Sequence, residues 1–439
     1  MKRHTNLLCL GAAVALLNAC APVVNAPEPV LPVPEKKQVD WQKMETYAFV
    51  HFGLNTFNDR EWGYGDSDPA TFNPVKLDCE QWVQTFVNSG MKGVILTAKH
   101  HDGFCMFDSQ YTDFSISRCA FKEHPKADVA KYVFEAFRKE GFMTGAYFSK
   151  PDWHNQDYWW DYFATPNRNV NYKIERHPEK WEAFKTYTHN QIGELMSNYG
   201  TIDILWLDGG WVSPRNNQDI DMPQIAAMAR AKQPGLLVVD RTIHGKYENY
   251  QTPEQKIPEH QLPYPWESCV TLTTDWGWVK NPVYKTPNRI ISILMEVVAK
   301  GGNLLLGVGP TAEGLIEQPT VKRLQEIGRW MQKNGKAIYH TRITPNYHCG
   351  NVWFTADKNG RTLYALYALP EGETLPAVIE WGGDVPERGT SVRLLSTGQR
   401  MKWIERDGKV AVTLPAKLAG STEPIALQFD TPLPKQNKK

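Results

Sequence analysis

The sequence predicts an α/β protein, a (β/α)8-like TIM barrel followed by a C-terminal antiparallel β-sandwich. From Tyr47 onward, short β-branched or apolar runs alternate with longer amphipathic stretches, which is typical of parallel sheets and barrels. Polar residues cluster at the ends of these runs, which is where barrels of this type have their active-site residues. After about Tyr339 the segments become short and alternating, as in antiparallel sandwiches.

The predicted barrel strands are Tyr47–Gly53, Gly93–His100, Phe142–Ser149, Ile202–Gly209, Leu236–Arg241, Pro265–Leu272 and Asn303–Gly309. One strand is not accounted for, so the pattern also fits an irregular or partly open barrel. Stretches with apolar residues three and four positions apart predict the covering helices, which are Cys79–Ser89, Lys126–Glu140, Pro178–Asn198, Ile220–Lys232, Pro287–Lys300 and Gln318–Lys333. The predicted sandwich strands include Val352–Ala356, Thr362–Tyr367, Ala377–Trp381, Ser391–Leu395 and Lys409–Leu414.

The amino terminus has the composition of an export signal. Lys2 and Arg3 precede an apolar run, Leu7–Leu17, that is too short to span a bilayer. The run leads into the letters LNAC, ending at Cys20, which are typical of the lipoprotein cleavage box. We therefore expect residues 1–19 to be a lipoprotein signal peptide and Cys20 to be lipidated. The protein is then anchored in the bacterial cell envelope, at the periplasmic or outer-membrane face; ordinary cleavage near Ala19 is the alternative.

The domain organisation follows from these features. Residues 20–39 are rich in proline and are expected to form an extended tether. The barrel is assigned to residues 40–339 and the sandwich to residues 340–439. The formal net charge of +1, with acids and bases interleaved, gives no electrostatic reason to expect nucleic acid, and contact with a membrane is expected only through the lipid anchor.

The cysteines of the predicted fold give no sign of a metal or redox site, because none are spaced as CxxC. Scattered buried thiols are favoured over a Cys105–Cys119 disulfide. The full set is Cys79, Cys105, Cys119, Cys269 and Cys349.

Candidate site residues stand at the strand ends: His51, Lys99 to Asp102, Tyr147 to Lys150, Asp208 and Arg241, with Trp266-Glu267 opening the sixth strand. Trp206 and Asp208 share one face of their strand, because side chains alternate along a strand. An aspartate in this position is either a helix cap or a reactive carboxylate. The adjacent His100 and His101 are expected to point to opposite sides, which argues against a metal site.

A pair of carboxyl groups at a barrel mouth is the requirement for glycoside hydrolysis. Glu267 is the first choice as partner of Asp208, since an aromatic, partly dry setting raises the pKa of a carboxyl group. Glu254, in a loop beside Pro253, ranks second, and Glu61 is a further candidate. The 16 tryptophans suit either sugar stacking or a large aromatic core.

The stretches AFVHFGLNTF, DREWG, LTAKHHDGF, GAYFS, DILWLDGGW, VVDR, WESC and NLLLGVGP together resemble glycoside hydrolase family 29, the α-L-fucosidases. The resemblance implies a retaining mechanism through a covalent fucosyl-enzyme, without metal or cofactor, acting on a fucosylated oligosaccharide or glycoconjugate. It implies that Asp208 is the nucleophile and Glu267 the acid/base. The implied fucose-pocket residues are His51, Glu61, Trp62, His100, His101, Tyr147, Trp206 and Arg241.

The chain departs from the family pattern at two positions. Phe52 stands where many members have tryptophan, and Arg60 stands where a smaller residue is common. Trp62, Trp211 or Trp278 is expected to cover the apolar edge of the sugar. The alternatives are another retaining exo-glycosidase such as an α-galactosidase, a catalytically silent glycan-binding lipoprotein, and, more remotely, a structural adhesin. The sandwich is expected to pack on the barrel, with a sugar-binding module as the lesser alternative.

Overall fold

The computed structural model describes residues 34–160, 168–241 and 243–432. Seven parallel strands form one curved sheet within these residues, in the order β5-β4-β3-β2-β1-β7-β6. They are β1 Thr46–Val50, β2 Gly93–Lys99, β3 Met143–Ser149, β4 Ile204–Asp208, β5 Leu237–Asp240, β6 Glu267–Thr271 and β7 Asn303–Val308.

The helices are α1 Lys36–Gln42, α2 Leu54–Phe57, α3 Cys79–Ser89, α4 Val129–Lys139, α5 Pro178–Asn198, α6 Met222–Lys232, α7 Pro287–Ala299 and α8 Gln318–Asn334. Short 3-10 turns lie at Pro69–Thr71, Ile116–Arg118, Ile174–Arg176, Pro214–Asn216 and Gly335–Ala337. Side-chain caps fix where several helices begin, since the Asp78 carboxylate accepts from the Gln81 N–H at 2.9 Å and the Asp128 carboxylate accepts from the Lys131 N–H at 3.1 Å. Within the described ranges, no helix combines the length and apolarity needed to cross a membrane.

The gap between β5 and β6 is filled by residues 249–255, which we call the closing segment. The Asn249 N–H donates to the Val238 carbonyl of β5 at 2.9 Å, and the Glu267 N–H of β6 donates to the Gln251 carbonyl at 2.8 Å. Single parallel bridges join the closing segment to Trp266 and to Cys269. The predicted (β/α)8-like barrel is therefore confirmed in its irregular form. The missing strand escaped prediction because this segment contains Pro253 and makes few ladder bonds.

Two apolar layers sandwich the sheet. Leu205 and Leu207 of β4 belong to the large core between the sheet and the helices, whereas Trp206 belongs to the smaller core inside the barrel. This alternation agrees with the predicted strand pattern. It fixes the direction of Asp208, two residues beyond Trp206, toward the barrel axis.

The C-terminal antiparallel sheets agree with the predicted sandwich. One has six strands in the order β13-β12-β16-β10-β9-β8 and the other has three in the order β11-β15-β14. The Trp330 indole of α8 donates to the Pro424 carbonyl at 2.7 Å, so the sandwich packs on the barrel helices. The strands are β8 His348–Cys349, β9 Val352–Ala356, β10 Thr362–Tyr367, β11 Val378–Gly382, β12 Val392–Leu394, β13 Arg400–Met401, β14 Trp403–Arg406, β15 Lys409–Thr413 and β16 Ile425–Asp430.

The predicted signal peptide, Cys20 and most of the predicted tether lie outside the described residues. The tether prediction is wrong at its end, because residues 36–39 are already part of α1. The Lys37 ammonium pairs with Asp203 at 2.7 Å and the Gln38 amide donates to the Asn249 carbonyl at 2.8 Å. These contacts attach the helix to the barrel.

Candidate active site

A cavity of about 450 Å³ opens at the carboxyl ends of the barrel strands. Its lining is polar and aromatic, as a sugar site requires. The lining residues are Phe49, His51, Glu61, Trp62, His100, His101, Tyr147, Arg168, Trp206, Asp208, Gly210, Trp211, Arg241, Glu254, Cys269 and Trp276.

The structure brings nearly all predicted site residues together in this cavity. Asp208 and the eight side chains implied for the fucose pocket all contribute to the lining. Of the tryptophans expected at the apolar edge of the sugar, Trp62 and Trp211 line the cavity, while Trp278 lines a small separate crevice. Glu267 does not line the cavity.

Asp208 accepts hydrogen bonds from three residues. It is the last residue of β4, and its Oδ2 accepts a hydrogen bond from the Tyr147 hydroxyl at 2.8 Å. Its Oδ1 accepts from Arg241 Nε at 2.6 Å and from the Gly209 N–H at 2.6 Å. Burial acts to raise the pKa of Asp208, but the Arg241 charge and the donated hydrogen bonds outweigh it, so the pKa lies well below its usual range. Asp208 is therefore a fixed, ionised carboxylate.

Arg241 joins Asp208 to a second carboxyl group. Its Nη1 donates to Glu254 Oε2 while its Nε holds Asp208. The other Glu254 oxygen, Oε1, accepts from the Trp276 indole N–H at 3.2 Å. The Glu254 side chain is 39% exposed and lines the cavity, so it is open to solvent and to a ligand.

Glu267 occupies the opposite end of the barrel wall. It is the first residue of β6, is fully buried and pairs in register with Asn303, the first residue of β7. Its Oε1 accepts from the Trp206 indole N–H at 2.8 Å, beneath the ring that lines the cavity. Burial raises the pKa of Glu267 well above its usual range, which favours a neutral acid there.

The predicted position of Glu267 at the cavity is therefore wrong. The physical reason is strand polarity: the amino end of a parallel strand lies at the face away from the site. Glu254, ranked second because of its loop position, is instead the second carboxyl group beside Asp208.

The two adjacent histidines both face the cavity. The expectation that His100 and His101 point to opposite sides is wrong, because β2 ends at Lys99 and strand alternation no longer applies. Their ring centroids lie 4.5 Å apart. Burial lowers the pKa of His100 to about 4 and that of His51 to about 3, so both imidazoles are neutral near pH 7. Neutral rings can both donate to and accept from sugar hydroxyls.

Trp276 is a site residue that the sequence reasoning missed. Its ring stacks on His51 with centroids 5.1 Å apart. Its backbone N–H donates to Glu61 Oε1 at 3.0 Å, while its indole holds Glu254. The residue follows the carboxyl end of β6, so applying the strand-end rule to that end, rather than to the Trp266-Glu267 start, identifies it.

The cysteines behave as the favoured interpretation expects. Cys105 and Cys119 are both free thiols, as are Cys79, Cys269 and Cys349. Among the residues that the structure describes, no cluster of three or more His, Cys, Asp or Glu side chains is arranged to hold a metal ion.

The chain is similar to known α-L-fucosidases. A family model described as alpha-L-fucosidase matches residues 29–336. The chain is 29% identical over 321 residues to alpha-L-fucosidase 1 of Arabidopsis thaliana, covering 67% of this chain but 59% of that relative's length. It is 29% identical to human plasma alpha-L-fucosidase over 399 residues, which cover 85% of this chain and 79% of the human protein.

Among solved structures, alpha-L-fucosidase isoenzyme 1 from Paenibacillus thiaminolyticus superposes with a TM-score of 0.75 at 28% identity. The match covers 90% of this chain and 99% of that chain, so both the barrel and the sandwich have counterparts.

Proposed function

This chain belongs to the α-L-fucosidase family of glycoside hydrolases, and we propose that Asp208 and Glu254 carry out its retaining, exo-acting hydrolysis of terminal α-L-fucose from glycans. Asp208 is the nucleophile and Glu254 is the general acid/base. The Glu254 assignment replaces the one made for Glu267, which has no access to the cavity.

In the first step an Asp208 oxygen attacks the anomeric carbon while the bond from that carbon to the aglycone oxygen breaks. The carboxylic acid of Glu254 gives its proton to the departing oxygen. In the second step water attacks the anomeric carbon, the Glu254 carboxylate takes the proton of that water, and the bond to Asp208 breaks. Two inversions at one carbon release fucose with its configuration retained.

The single observation that carries this proposal is the bridging contact of Arg241 with both carboxyl groups. Its charge keeps Asp208 ionised for attack in the free enzyme. Once Asp208 is esterified, it no longer carries a charge, and the guanidinium is left to Glu254 alone. That is the step in which Glu254 acts as a base.

The cavity lining fits a 6-deoxy sugar with three hydroxyls. Neutral His51 and His100 supply hydrogen-bonding groups for the hydroxyls, and the Trp62 and Trp211 indoles supply apolar faces. An α-L-galactoside differs from an α-L-fucoside by a further hydroxyl on the sixth carbon, and burying that group without a partner is unfavourable. An α-D-galactoside also has the opposite absolute configuration at its ring carbons. An α-galactosidase is for this reason not favoured.

The test is hydrolysis of an aryl α-L-fucoside beside the matching α-L-galactoside, which differs from it only by the hydroxyl on the sixth carbon, an aryl α-D-galactoside and a set of fucosylated oligosaccharides. We expect fucose to be released and the first anomer seen by proton NMR to be α. Release of galactose at a comparable rate, or β-fucose as first product, contradicts the proposal. Failure to release any sugar supports a silent glycan-binding protein instead.

We also propose that the enzyme is a lipoprotein of the bacterial cell envelope, acylated at Cys20. The support is the composition of residues 1–20, with Lys2 and Arg3 before the apolar run Leu7–Leu17. A Cys20→Ser variant is expected to move from the membrane fraction to the soluble fraction and to lose incorporation of a labelled fatty acid. Retention of the label in that variant contradicts the proposal.

A further inference from the structure

Ser149 closes β3 directly beside Asp208, with which it pairs in register. Its side chain is fully buried. The Ser149 hydroxyl donates to the Pro151 carbonyl at 2.6 Å, and the same oxygen lies 2.7 Å from His101 Nδ1. A carbonyl oxygen can only accept, so it takes the single hydroxyl hydrogen of Ser149. The contact with His101 is then a hydrogen bond only if Nδ1 carries a hydrogen.

The imidazole of His101 is neutral in this setting. Burial, followed by the neighbouring His100, lowers the pKa of His101 well below its usual range. A neutral ring has one N–H, and the Ser149 contact assigns it to Nδ1. Nε2 is therefore left with a lone pair, 3.7 Å from Asp208 Oδ2.

We propose that Ser149 is a positioning residue that fixes His101 in the Nδ1–H form, so that Nε2 accepts a hydrogen from a hydroxyl of the bound sugar next to Asp208. The identity of the sugar rests on the proposed function; the hydrogen on Nδ1 does not. The arrangement keeps His101 from donating to Asp208 Oδ2, which has the Tyr147 hydroxyl as its donor. An Nε2–H would compete for the attacking carboxylate.

Removing the Ser149 hydroxyl is expected to change which ring nitrogen of His101 carries the hydrogen. In Ser149→Ala, Nδ1 loses its acceptor in a buried place, while the Asp208 carboxylate still faces Nε2. The hydrogen is then expected to move to Nε2, where the carboxylate attracts it. Nε2 of His101 then has no lone pair with which to accept a hydrogen bond from the sugar.

The direct test is nitrogen NMR of the full-length protein labelled with 15N-histidine, with the His101 signals identified by their loss in His101→Phe. The wild type is expected to show Nδ1–H and Ser149→Ala to show Nε2–H. An Nε2–H signal in the wild type overturns the proposal without any variant of Ser149 having to fold. This readout is also independent of turnover, so it stands apart from failure of the proposed function.

Kinetics on an aryl α-L-fucoside supply the second test. Ser149→Ala is expected to lower kcat/KM about tenfold, which is the effect of losing one buried hydrogen bond between His101 and the sugar. The matched control is Ser268→Ala in β6, whose buried hydroxyl bonds the Lys256 carbonyl at 2.7 Å outside the cavity lining; its kcat/KM is expected to stay within twofold of the wild type.

A double-mutant comparison separates positioning from plain structural support. In a His101→Phe background, Ser149→Ala is expected to cause no further loss of kcat/KM. If the two losses multiply instead, Ser149 acts through the backbone near Pro151 and the proposal is overturned.

Discussion

Asp208 is the last residue of β4 and Glu267 is the first residue of β6, so these two carboxyl groups lie at opposite ends of one parallel barrel wall. The cavity opens at the carboxyl ends of the strands. The closing segment brings Glu254 to that end, where Arg241 holds it beside Asp208. The chemistry of the site therefore depends on an irregular part of the barrel.

Replacement of Asp208, the proposed nucleophile, has the largest expected effect. Asp208→Ala should lower turnover of an aryl α-L-fucoside by at least about a thousandfold, because no other group stands ready to form the covalent intermediate. Fucose binding should remain measurable by calorimetry, since the histidines and tryptophans of the cavity are unchanged. Hydrolysis by this variant at the parent rate removes Asp208 from the mechanism.

The charge of Arg241 sets the acid limb of activity. In Arg241→Met the largest contribution that opposes the burial of Asp208 is lost, so the pKa of that carboxyl rises and the protonated, unreactive form appears at higher pH. The acid limb of kcat/KM should shift upward. Arg241→Lys retains the charge and should shift it less. An acid limb at the same pH in all three proteins contradicts this account of Asp208.

His51 makes stability depend on pH. Burial lowers its pKa to about 3 in the folded protein, while the unfolded chain binds the proton near the ordinary value. The unfolded state thus takes up more protons below about pH 6.5, and stability is lost as the pH falls through this window. The loss from this group between pH 7 and pH 4 is about 3 kcal/mol.

Denaturant unfolding at several pH values checks this prediction. His51→Gln and His51→Phe should each flatten the acid side of the stability curve relative to the wild type. Other titrating groups contribute to the stability of the wild type and of the variants alike, so their contributions cancel when the stability curves are subtracted. Parallel curves for wild type and both variants show that His51 is not a buried neutral imidazole.

The loop that carries Trp276 packs directly against Gly309, where there is no room for a side chain. A Cβ added at Gly309 would overlap the Trp278 nitrogen and lie 2.6 Å from the Gly277 carbonyl carbon, so Gly309→Ala must displace the loop. We expect a loss of about 1–3 kcal/mol in unfolding free energy and a fall in kcat/KM. Gly277→Ala is the control, because its nearest neighbour is 3.9 Å away. Equal effects of the two variants argue against this role of the loop.

Regular periodicity explains how much of the fold the sequence predicts. α3 and α5 have the predicted bounds, and α4, α6, α7, α8 and the seven strands agree within a few residues, because each has one clear apolar face or run. The short helices α1 and α2 were not predicted. The closing segment was not predicted, since it contains Pro253 and has no strand pattern of its own. Its hydrogen bonds come from β5 and β6, which no local window contains.

The site residues that lie at the ends of regular strands could be predicted from the sequence. His51, Asp208 and Arg241 meet because each lies at the carboxyl end of its strand, at the same face of the barrel. The position of Glu267 was predicted wrongly because its aromatic neighbour, Trp266, does not indicate which end of the strand faces the site. Glu254 and Trp276 reach the cavity from irregular segments, so their positions depend on tertiary contacts with Arg241 and Glu61.

The assignment of the acid/base is tested most directly by comparing Glu254→Gln with Glu267→Gln, two variants that each replace one carboxyl group by an amide of nearly the same shape. The quantity to measure is kcat/KM on a fucosylated oligosaccharide and on an aryl fucoside whose leaving group needs little protonation. Glu254→Gln should lose at least about a hundredfold on the oligosaccharide and less on the aryl substrate. Glu267→Gln keeps an oxygen for the Trp206 indole and should remain within a few-fold of the wild type on both. The reverse pattern, with Glu267→Gln inactive and Glu254→Gln active on the oligosaccharide, contradicts the account.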